Sequence, residues 1–334
     1  MMVYNFDKYP VGIKQYRDGT MDKQSKIVEN IPYMIKYMKK GIAKQYKSKP
    51  YTYFNSVYSE YIACKIGKKI GLNIQDVIIG YGTMQNEFKP SVGCKDFCKE
   101  GEMFINFTQV LNIVEYDNKI KYNKNDFYDM LNIIMTQKFI ETNELKKHFL
   151  DMFVFDAFIG NFDRNLDNFG IIKEYGNDIY RITPIYDCGS SMHPKTTRNR
   201  INMYNIQYDL NDEIALIDNI KKITSFFTIN NKKINYYDFL VEREFNQDKD
   251  IAEAILRVAP KLVEIQENGY IEKLVDSLSE LMGEDRAKVL KIELEYKAQH
   301  MFKEMIRIAN KVLEKEKEQT SSWIKKEIDD DWER

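Results

Sequence analysis

Apolar and polar residues follow two kinds of spacing along this chain, and the change between them predicts the order of its elements. Residues 31–38 are rich in β-branched and aromatic side chains, which is typical of a strand. A helix is predicted from a cap at Asn55 to about Ile70, because apolar residues recur there at helical spacing and Gly71 follows. Two further extended segments are predicted over 76–81 and 92–97.

The spacing becomes predominantly helical from Glu102 onward. Helices are predicted over 125–140, 143–159, 212–218, 248–267, 270–282 and 284–315. Asn143 is the predicted N-cap of the second of these helices. Between the second and the third, two short strands over 169–173 and 178–183 flank a hairpin signal at Tyr175-Gly176-Asn177.

This order of elements predicts an α+β protein in which a small β-rich lobe precedes a larger, mainly helical lobe. We place the boundary near residue 98, so that the N-lobe covers 1–98 and the C-lobe covers 99–318. The remaining residues, 319–334, are polar and are predicted to form a tail.

Composition and charge exclude several classes of function. The chain has 334 residues, and its 50 Lys plus Arg nearly balance 51 Asp plus Glu, so no basic field favours direct binding of nucleic acid. The longest apolar stretch, 152–162, is interrupted by Asp156 and is too short to span a bilayer. No signal peptide is visible, so we predict a cytoplasmic protein without membrane insertion, although export routes that leave no visible signal stay open.

The four cysteines are predicted to be structural thiols. Cys64, Cys94, Cys98 and Cys188 are widely spaced in a long chain, which favours a reducing compartment over a disulfide framework. Only three histidines accompany them, so the sequence predicts no zinc site.

The candidate chemistry lies between the second predicted helix and the segment after the hairpin. Asp163 and Asn168 stand five residues apart in a loop, and Asp187-Cys188-Gly189 follows the hairpin. Phosphoryl transfer needs one carboxylate at the attacking hydroxyl, and further oxygen ligands that bind magnesium against the phosphates. Protein kinases use an Asp, an Asn five residues later, and an Asp-x-Gly beyond a short hairpin.

Two other interpretations of this loop come from the same residues. Short polar side chains often cap a helix end and stabilise the following turn, which gives the cluster a purely structural role. Alternatively, Asp163, Asn165 and Asp167 stand at positions one, three and five of a calcium loop, with Glu174 at position twelve. Against calcium, position six is Asn168 rather than Gly, and the residues after Glu174 favour a strand.

The segments 156–170 and 184–191, which contain these residues, resemble the HipA-type serine/threonine kinases, and within them a compact branch. Further segments that resemble this branch are Ser59-Glu60-Tyr61-Ile62, Gly71-Leu72-Asn73-Ile74 and Cys94-Lys95-Asp96-Phe97. The resemblance covers roughly residues 30–195. It implies a bilobed protein-kinase-like fold that uses ATP and Mg²⁺.

The resemblance also implies a role for individual residues. Asp163 would be the catalytic aspartate that orients the substrate hydroxyl, and Asn168 and Asp187 would bind magnesium. Lys36 would contact the α- and β-phosphates, with Glu60 as its ion-pair partner.

The resemblance places Asp96 and Phe97 at the adenine hinge between the lobes. Considered alone, Lys36 would be expected at the surface of the protein, as an edge-strand lysine usually is. Glu60, flanked by Lys65 and Lys68 on its helix, fits a surface position and a functional one equally well.

The sequence departs from the family pattern at two places. Asn165 stands where the family usually has His, which removes no metal ligand. The phosphate-covering loop is weakly marked, because residues 17–23 contain a single glycine and no Gly-x-Gly-x-x-Gly. The position of that loop therefore stays open.

We expect an ATP- and magnesium-dependent serine/threonine protein kinase of toxin or effector type, with autophosphorylation as one outcome. Its partners would be a protein with a Ser or Thr hydroxyl, and an antitoxin-like protein or a second copy of the chain. A kinase of lipids or small molecules is the alternative within the same fold. A non-catalytic protein that binds a metal or a partner is the alternative of another class.

Overall fold

The computed structural model describes residues 1–16, 21–38, 55–192 and 213–332, without the side chains of 213–216 and 320–332. One large hydrophobic core includes residues of the helices and of all three sheets that the described residues form, and a small one lies under the first strands. Within the described residues, no helix combines the length and the apolar character that a membrane span requires.

A five-stranded sheet forms the N-terminal part. Its strands are β1 (Tyr4–Asn5), β2 (Asp22–Val28), β3 (Ile31–Tyr37), β4 (Val77–Met84) and β5 (Glu87–Lys95), in the order β1-β4-β5-β3-β2. β1 is parallel to β4, and the other pairs are antiparallel. Lys36 lies opposite Lys23 of β2 and Val92 of β5, so it belongs to an interior strand rather than to an edge.

The helix α1 (Ser56–Lys69) packs against β4 and β5 and confirms the predicted helix. Most of its residues are buried. The chain leaves it through Gly71, whose φ of 81° only glycine adopts readily. β3, β4 and β5 confirm the predicted strands, whereas β1 and β2 were not predicted.

The helical prediction from Glu102 onward is wrong for the first five residues. Glu102–Asn106 is a strand, β6, which pairs with β7 (Gly170–Glu174), and β7 pairs with β8 (Tyr180–Ile182). The helix α2 (Phe107–Asn118) begins only after Asn106, because the Asn106 and Gln109 side chains form a capping box.

Two helices then build the centre of the C-terminal part, α3 (Phe127–Thr136) and α4 (Thr142–Ile159). The cap predicted at Asn143 is wrong, because the Glu141 carboxylate accepts hydrogen bonds from the backbone N–H groups of Asn143 and Glu144. From Phe149 onward almost every residue of α4 is buried. Such a helix lies inside the core rather than on its surface.

The C-terminal third contains the hairpin of β9 (Thr224–Ile229) and β10 (Lys232–Asn235), which was not predicted. Its helices are α5 (Glu213–Lys221), α6 (Lys249–Glu267), α7 (Tyr270–Asp276), α8 (Ser279–Met282), α9 (Glu284–Tyr296) and α10 (Lys303–Trp332). The helix predicted over 270–282 is therefore interrupted after Asp276, and that over 284–315 by a π-helical segment, Lys297–Phe302. Helix α10 continues through most of the predicted tail.

Phe127 provides a test of the central core. Its ring contacts the rings of Phe149, Phe153, Phe227 and Phe239 with centroid distances of 4.9–6.2 Å. We expect Phe127→Ala to lower the free energy of unfolding by about 3–5 kcal/mol, because it leaves a cavity among these rings. Urea denaturation measures the change.

The matched control is Tyr116→Ala, because the Tyr116 side chain is 85% exposed. We expect a change below about 0.5 kcal/mol for this variant. Equal losses in the two variants would contradict the assignment of Phe127 to the central core.

His148 on α4 allows the dependence of folding stability on pH to be tested. Burial, with a smaller contribution from Arg164, lowers its pKa to about 4. The unfolded chain therefore binds more protons than the folded protein between pH 4 and pH 6.5, so stability falls as the pH falls through this window. We expect His148→Gln to reduce that loss by about 1–3 kcal/mol.

The measurement is the urea midpoint at several values of pH, with His300→Gln, at an exposed position, as the control. The slopes against pH are compared rather than the absolute stabilities. A slope that His148→Gln leaves unchanged would contradict the assignment.

Candidate active site

Lys36 contacts two carboxylates that come from distant parts of the chain. Its Nζ lies 2.9 Å from Oε2 of Glu60 on α1 and 2.7 Å from Oδ1 of Asp187. Burial acts to lower the pKa of Lys36, but Asp187 and Glu60 outweigh it and raise that pKa well above its usual value. Lys36 is therefore charged at neutral pH, and the predicted Lys36–Glu60 ion pair is present.

Asp187 lies at the end of this network. Burial acts to raise the pKa of its carboxyl, but the Lys36 ammonium outweighs burial and lowers it. The carboxylate is thus ionised, and 44% of the side chain remains exposed. Its φ of 55° is in the left-handed region, which Asp adopts more readily than most residues.

Glu60 also fixes the backbone next to Asp187. Its second oxygen, Oε1, accepts a hydrogen bond from the N–H of Cys188 at 3.0 Å. Glu60 is buried, as are Cys64 and Cys188, whose sulfurs lie near its carboxylate. All four cysteines are free, and three of them are buried.

A buried ion pair organises the loop after α4. Arg164 donates from Nε to Oδ2 of Asp156 at 2.8 Å and from Nη2 to Oδ1 at 3.0 Å. Both side chains are 1% exposed. Nη1 of Arg164 also donates to the carbonyls of Asn168, at 3.0 Å, and of Tyr186. One guanidinium therefore connects the end of α4, the loop and the residue before Asp187.

Sequence reasoning gave Arg164 and Asp156 no role. The signal was present, because Asp156 interrupts an otherwise apolar stretch of α4. A carboxylate in such a place requires a buried partner, and the arginine nearest along the chain in the following loop is Arg164.

The loop itself places Asp163 and Asn168 together. Nδ2 of Asn168 donates to the Asp163 carbonyl at 2.7 Å, and the N–H of Asp163 donates to the Asn161 side chain at 3.1 Å. The first contact fixes the Asn168 amide, so its oxygen is the atom presented away from the loop backbone. An amide oxygen suits a hard cation.

The Asn165 side chain contacts two other residues of this loop, Asp163 and Asp167. Its Oδ1 accepts from the N–H of Asp167 at 2.9 Å, and its Nδ2 lies 3.4 Å from Oδ1 of Asp163. The capping interpretation is therefore correct for Asn165. It does not account for the convergence of Asp163 and Asn168 with Lys36 and Asp187.

These side chains line one cavity of about 410 Å³, the central cavity. It brings together Lys36, Asp163, Asn168 and Asp187, whereas Glu60 supports Lys36 from behind. Other lining residues used below are Met21, Lys23, Met34, Phe104 and Tyr186. The Asn168 amide oxygen and the Asp187 carboxylate form an oxygen donor set that fits a hard divalent cation.

The predicted hinge residues lie beside the central cavity, and neither is among its described lining residues. Asp96 binds Lys14 at 2.6 Å and Tyr16 at 2.9 Å. The Phe97 ring packs against Phe104 and Tyr186, which line the cavity, at centroid distances of 5.8 and 5.2 Å.

The calcium-loop interpretation is wrong. Glu174, which it requires as a ligand, is the last residue of the strand β7, which begins at Gly170. An extended chain rises about 3.3 Å per residue, so β7 carries Glu174 away from Asp163.

Part of the predicted phosphate-covering loop, residues 17–20, lies outside the described residues. The part that is described contributes Met21 and Lys23 to the lining of the central cavity.

Known proteins resemble this chain in sequence and in structure. The family model of the HipA-like C-terminal domain matches residues 21–264. The serine/threonine-protein kinase CtkA of Helicobacter pylori is 33% identical over 250 residues, which are 75% of this chain and 72% of the relative. A crystal structure of a Helicobacter pylori proinflammatory kinase CtkA has a TM-score of 0.75 and 28% identity, covering 93% of this chain and 99% of that one.

A complex of HipA, HipB and operator DNA from Shewanella oneidensis is more distant. Its TM-score is 0.47 at 13% identity, with 83% of this chain and 60% of that chain covered.

The Asp156–Arg164 pair provides a test of the loop. We expect Arg164→Met to lower the free energy of unfolding by about 3–5 kcal/mol, because it leaves the Asp156 carboxylate buried without its partner. Chemical denaturation measures the loss.

Arg243→Met is the matched control, since Arg243 pairs with Asp238 while its side chain is 67% exposed. We expect a loss below about 1 kcal/mol there. A small loss in both variants would show that the buried pair does not organise the loop.

Proposed function

The chain belongs to the HipA-like family and has a protein-kinase-like fold, and on this premise we propose that it is an ATP- and magnesium-dependent serine/threonine protein kinase. It would transfer the γ-phosphate of ATP to a protein hydroxyl. The observation that supports this most directly is the convergence of Lys36, Asp163, Asn168 and Asp187 on the central cavity. The name of the relative, a serine/threonine-protein kinase, supports the class of acceptor.

The proposed cofactors are matched by residues of suitable chemistry. Asn168 and Asp187 would bind Mg²⁺, which would neutralise charge on the phosphates when it is bound. Lys36, a buried cation that Glu60 fixes in place, would donate to the α- and β-phosphate oxygens. Because an ammonium has three donors, Lys36 can retain Glu60 while it binds a phosphate.

Asp163 would act on the acceptor. In direct in-line transfer, the hydroxyl oxygen attacks the γ-phosphorus, the bond to the bridging β,γ-oxygen breaks, and ADP leaves. The hydroxyl proton passes to the Asp163 carboxylate, which the hydrogen bond from its own N–H to Asn161 helps to position. Arg164 is a positioning residue, since it contacts the loop and not the central cavity.

The adenine would occupy the side of the central cavity near Met34, Phe104 and Tyr186. We propose that Asp96 and Phe97 form the adjoining hinge. Phe97 packs against the rings of Phe104 and Tyr186 and would fix the width of the adenine site. Asp96 fixes the turn, because its Oδ1 accepts from the N–H of Cys98 at 3.0 Å.

The proposal includes autophosphorylation and a role as a toxin or effector, with an antitoxin-like protein or a second copy as partner. The alternative within the same fold is a lipid or small-molecule substrate. A protein kinase transfers labelled phosphate to a protein, whereas a lipid or small-molecule kinase does not, and this difference separates the proposal from its alternative.

The test is transfer from γ-labelled ATP by purified protein with Mg²⁺. We expect Asp163→Asn and Asp187→Asn each to reduce transfer by about 100-fold or more, because one removes the proton acceptor and the other a charged metal ligand. Asp178→Asn, at a side chain 93% exposed in the β7–β8 turn, is the matched control and should retain activity.

A labelled protein band in the wild type that both active-site variants lose would support the proposal. Turnover of ATP without a labelled protein would support the lipid or small-molecule alternative. Absence of both turnover and ATP binding would overturn the kinase proposal and favour a non-catalytic protein.

A further inference from the structure

A second cavity of about 820 Å³, the rear cavity, lies between α4, α6 and the segment that leads to Asp187. It shares no described lining residue with the central cavity. Apolar side chains such as Leu72, Ile185 and Leu256 form part of its wall. The size suits a small organic molecule rather than a single ion.

The polar part of the rear cavity has an excess of positive charge. Lys147, Arg181, Arg257 and Lys261 line it together with the carboxylates of Glu144 and Asp151. Arg181 is paired with Glu102 outside the lining, so the excess comes from the two lysines. One of these carboxylates, Asp151, already binds Arg257 at 2.8 Å. Clustered cations in a concave site attract a ligand of opposite charge.

The two lysines are the cations best placed to bind a ligand. Within the part of the chain that the structure describes, neither Lys147 nor Lys261 is held by an ion pair or hydrogen bond of its side chain, although the Asp151 carboxylate attracts both. They lie on different helices, α4 and α6, and so approach the cavity from two elements. A phosphate or carboxylate group between them would receive charge-assisted hydrogen bonds from both.

His148 is a second, independent observation that indicates a ligand. Its ring lines the rear cavity, and its Nε2 is buried with no hydrogen-bond partner among the described residues. Buried polar atoms nearly always have a partner. Because Nε2 has no contact with solvent, a ligand oxygen would accept its N–H only after the ring rotates toward the cavity.

Two residues connect the rear cavity with the proposed active site. Arg181 donates from Nη2 to the carbonyl of Phe97 at 2.7 Å and to Oε2 of Glu102 at 2.6 Å. The carbonyl belongs to the proposed hinge. Ile185 lies two residues before Asp187, and its backbone binds Asn73 and Gln75 at 2.7 and 2.9 Å. An anion that attracts Arg181 would compete with the hinge for the same guanidinium.

We propose that the rear cavity binds a small organic anion with phosphate or carboxylate groups, and that its occupation changes nucleotide affinity through Arg181. The proposed binding of the anion is supported by the residues of the rear cavity alone. The proposed change in nucleotide affinity rests on the proposed kinase function.

The binding test uses the small number of histidines. The chain contains three, His148, His193 and His300, so protein labelled with ¹³C and ¹⁵N in histidine gives few ring signals. His148→Gln identifies the signal of His148. Inorganic phosphate and citrate are titrated separately, without nucleotide or Mg²⁺, so that the two ligand chemistries are distinguished.

We expect at least one probe to shift the His148 signal in a saturable manner while the signal of exposed His300 stays constant. Lys147→Ala/Lys261→Ala should weaken that affinity by about tenfold or more, because it removes two charged donors. Both lysines are exposed on helices, where Ala is well tolerated, so the variant should fold. Lys124→Ala/Lys288→Ala, at exposed positions outside both cavities, is the matched control.

A His148 signal that neither probe shifts would overturn the proposed site. So would a shift that persists undiminished in Lys147→Ala/Lys261→Ala.

Coupling is measured through the Kd of the bound probe with and without a non-hydrolysable ATP analogue. By thermodynamic linkage, the analogue must change the Kd of the probe by the same factor by which the probe changes the Kd of the analogue. We expect this factor to be about fivefold or more, and we expect Arg181→Lys to abolish it. If the analogue binds without changing the Kd of the probe, the coupling is overturned. If the analogue does not bind while the probe does, the kinase proposal fails and the anion site stands.

Discussion

The arrangement of the candidate active site depends on a buried ion pair, Asp156 with Arg164. A carboxylate on the central helix α4 is stable there only with a buried cation, and the cation that reaches it comes from the following loop. The remaining donors of Arg164 then bind the carbonyls of Asn168 and Tyr186. Neutralising one charge inside the core thus determines the path of the loop and of a second segment 22 residues further along the chain.

Asp187 is fixed from both sides as a result. Arg164 binds the carbonyl of the residue before it, and Glu60 binds the N–H of the residue after it. Lys36 completes the arrangement by contacting both Glu60 and Asp187. The left-handed backbone at Asp187 lies between two anchored peptide groups, so the strained conformation is determined by its neighbours.

The sequence was sufficient where the determinants are local, as at α1 with Gly71 after it and in the turn around Gly176. The Asp163 and Asn168 spacing, together with the family resemblance, likewise predicted residues that the structure brings to one cavity. It failed at two local signals, and it cannot bring together groups that are distant along the chain. The cap of α4 is Glu141 rather than Asn143, and the hairpin at Asn230-Asn231 was missed although both residues have positive φ and are typical of such turns. The role of Arg164 depends on the carbonyls of Asn168 and Tyr186, whose proximity cannot be predicted from residue spacing along the sequence.

The two contacts of Lys36, with Glu60 and with Asp187, form at different times while the chain is synthesised. Lys36 and Glu60 are 24 residues apart, and the first sheet needs only residues up to Lys95, so this part can neutralise its buried lysine early. Asp187 leaves the ribosome much later, being 151 residues beyond Lys36. We therefore expect the buried lysine of the nascent N-terminal part to be paired with Glu60 from the start, and the constellation proposed for catalysis to be assembled only afterwards.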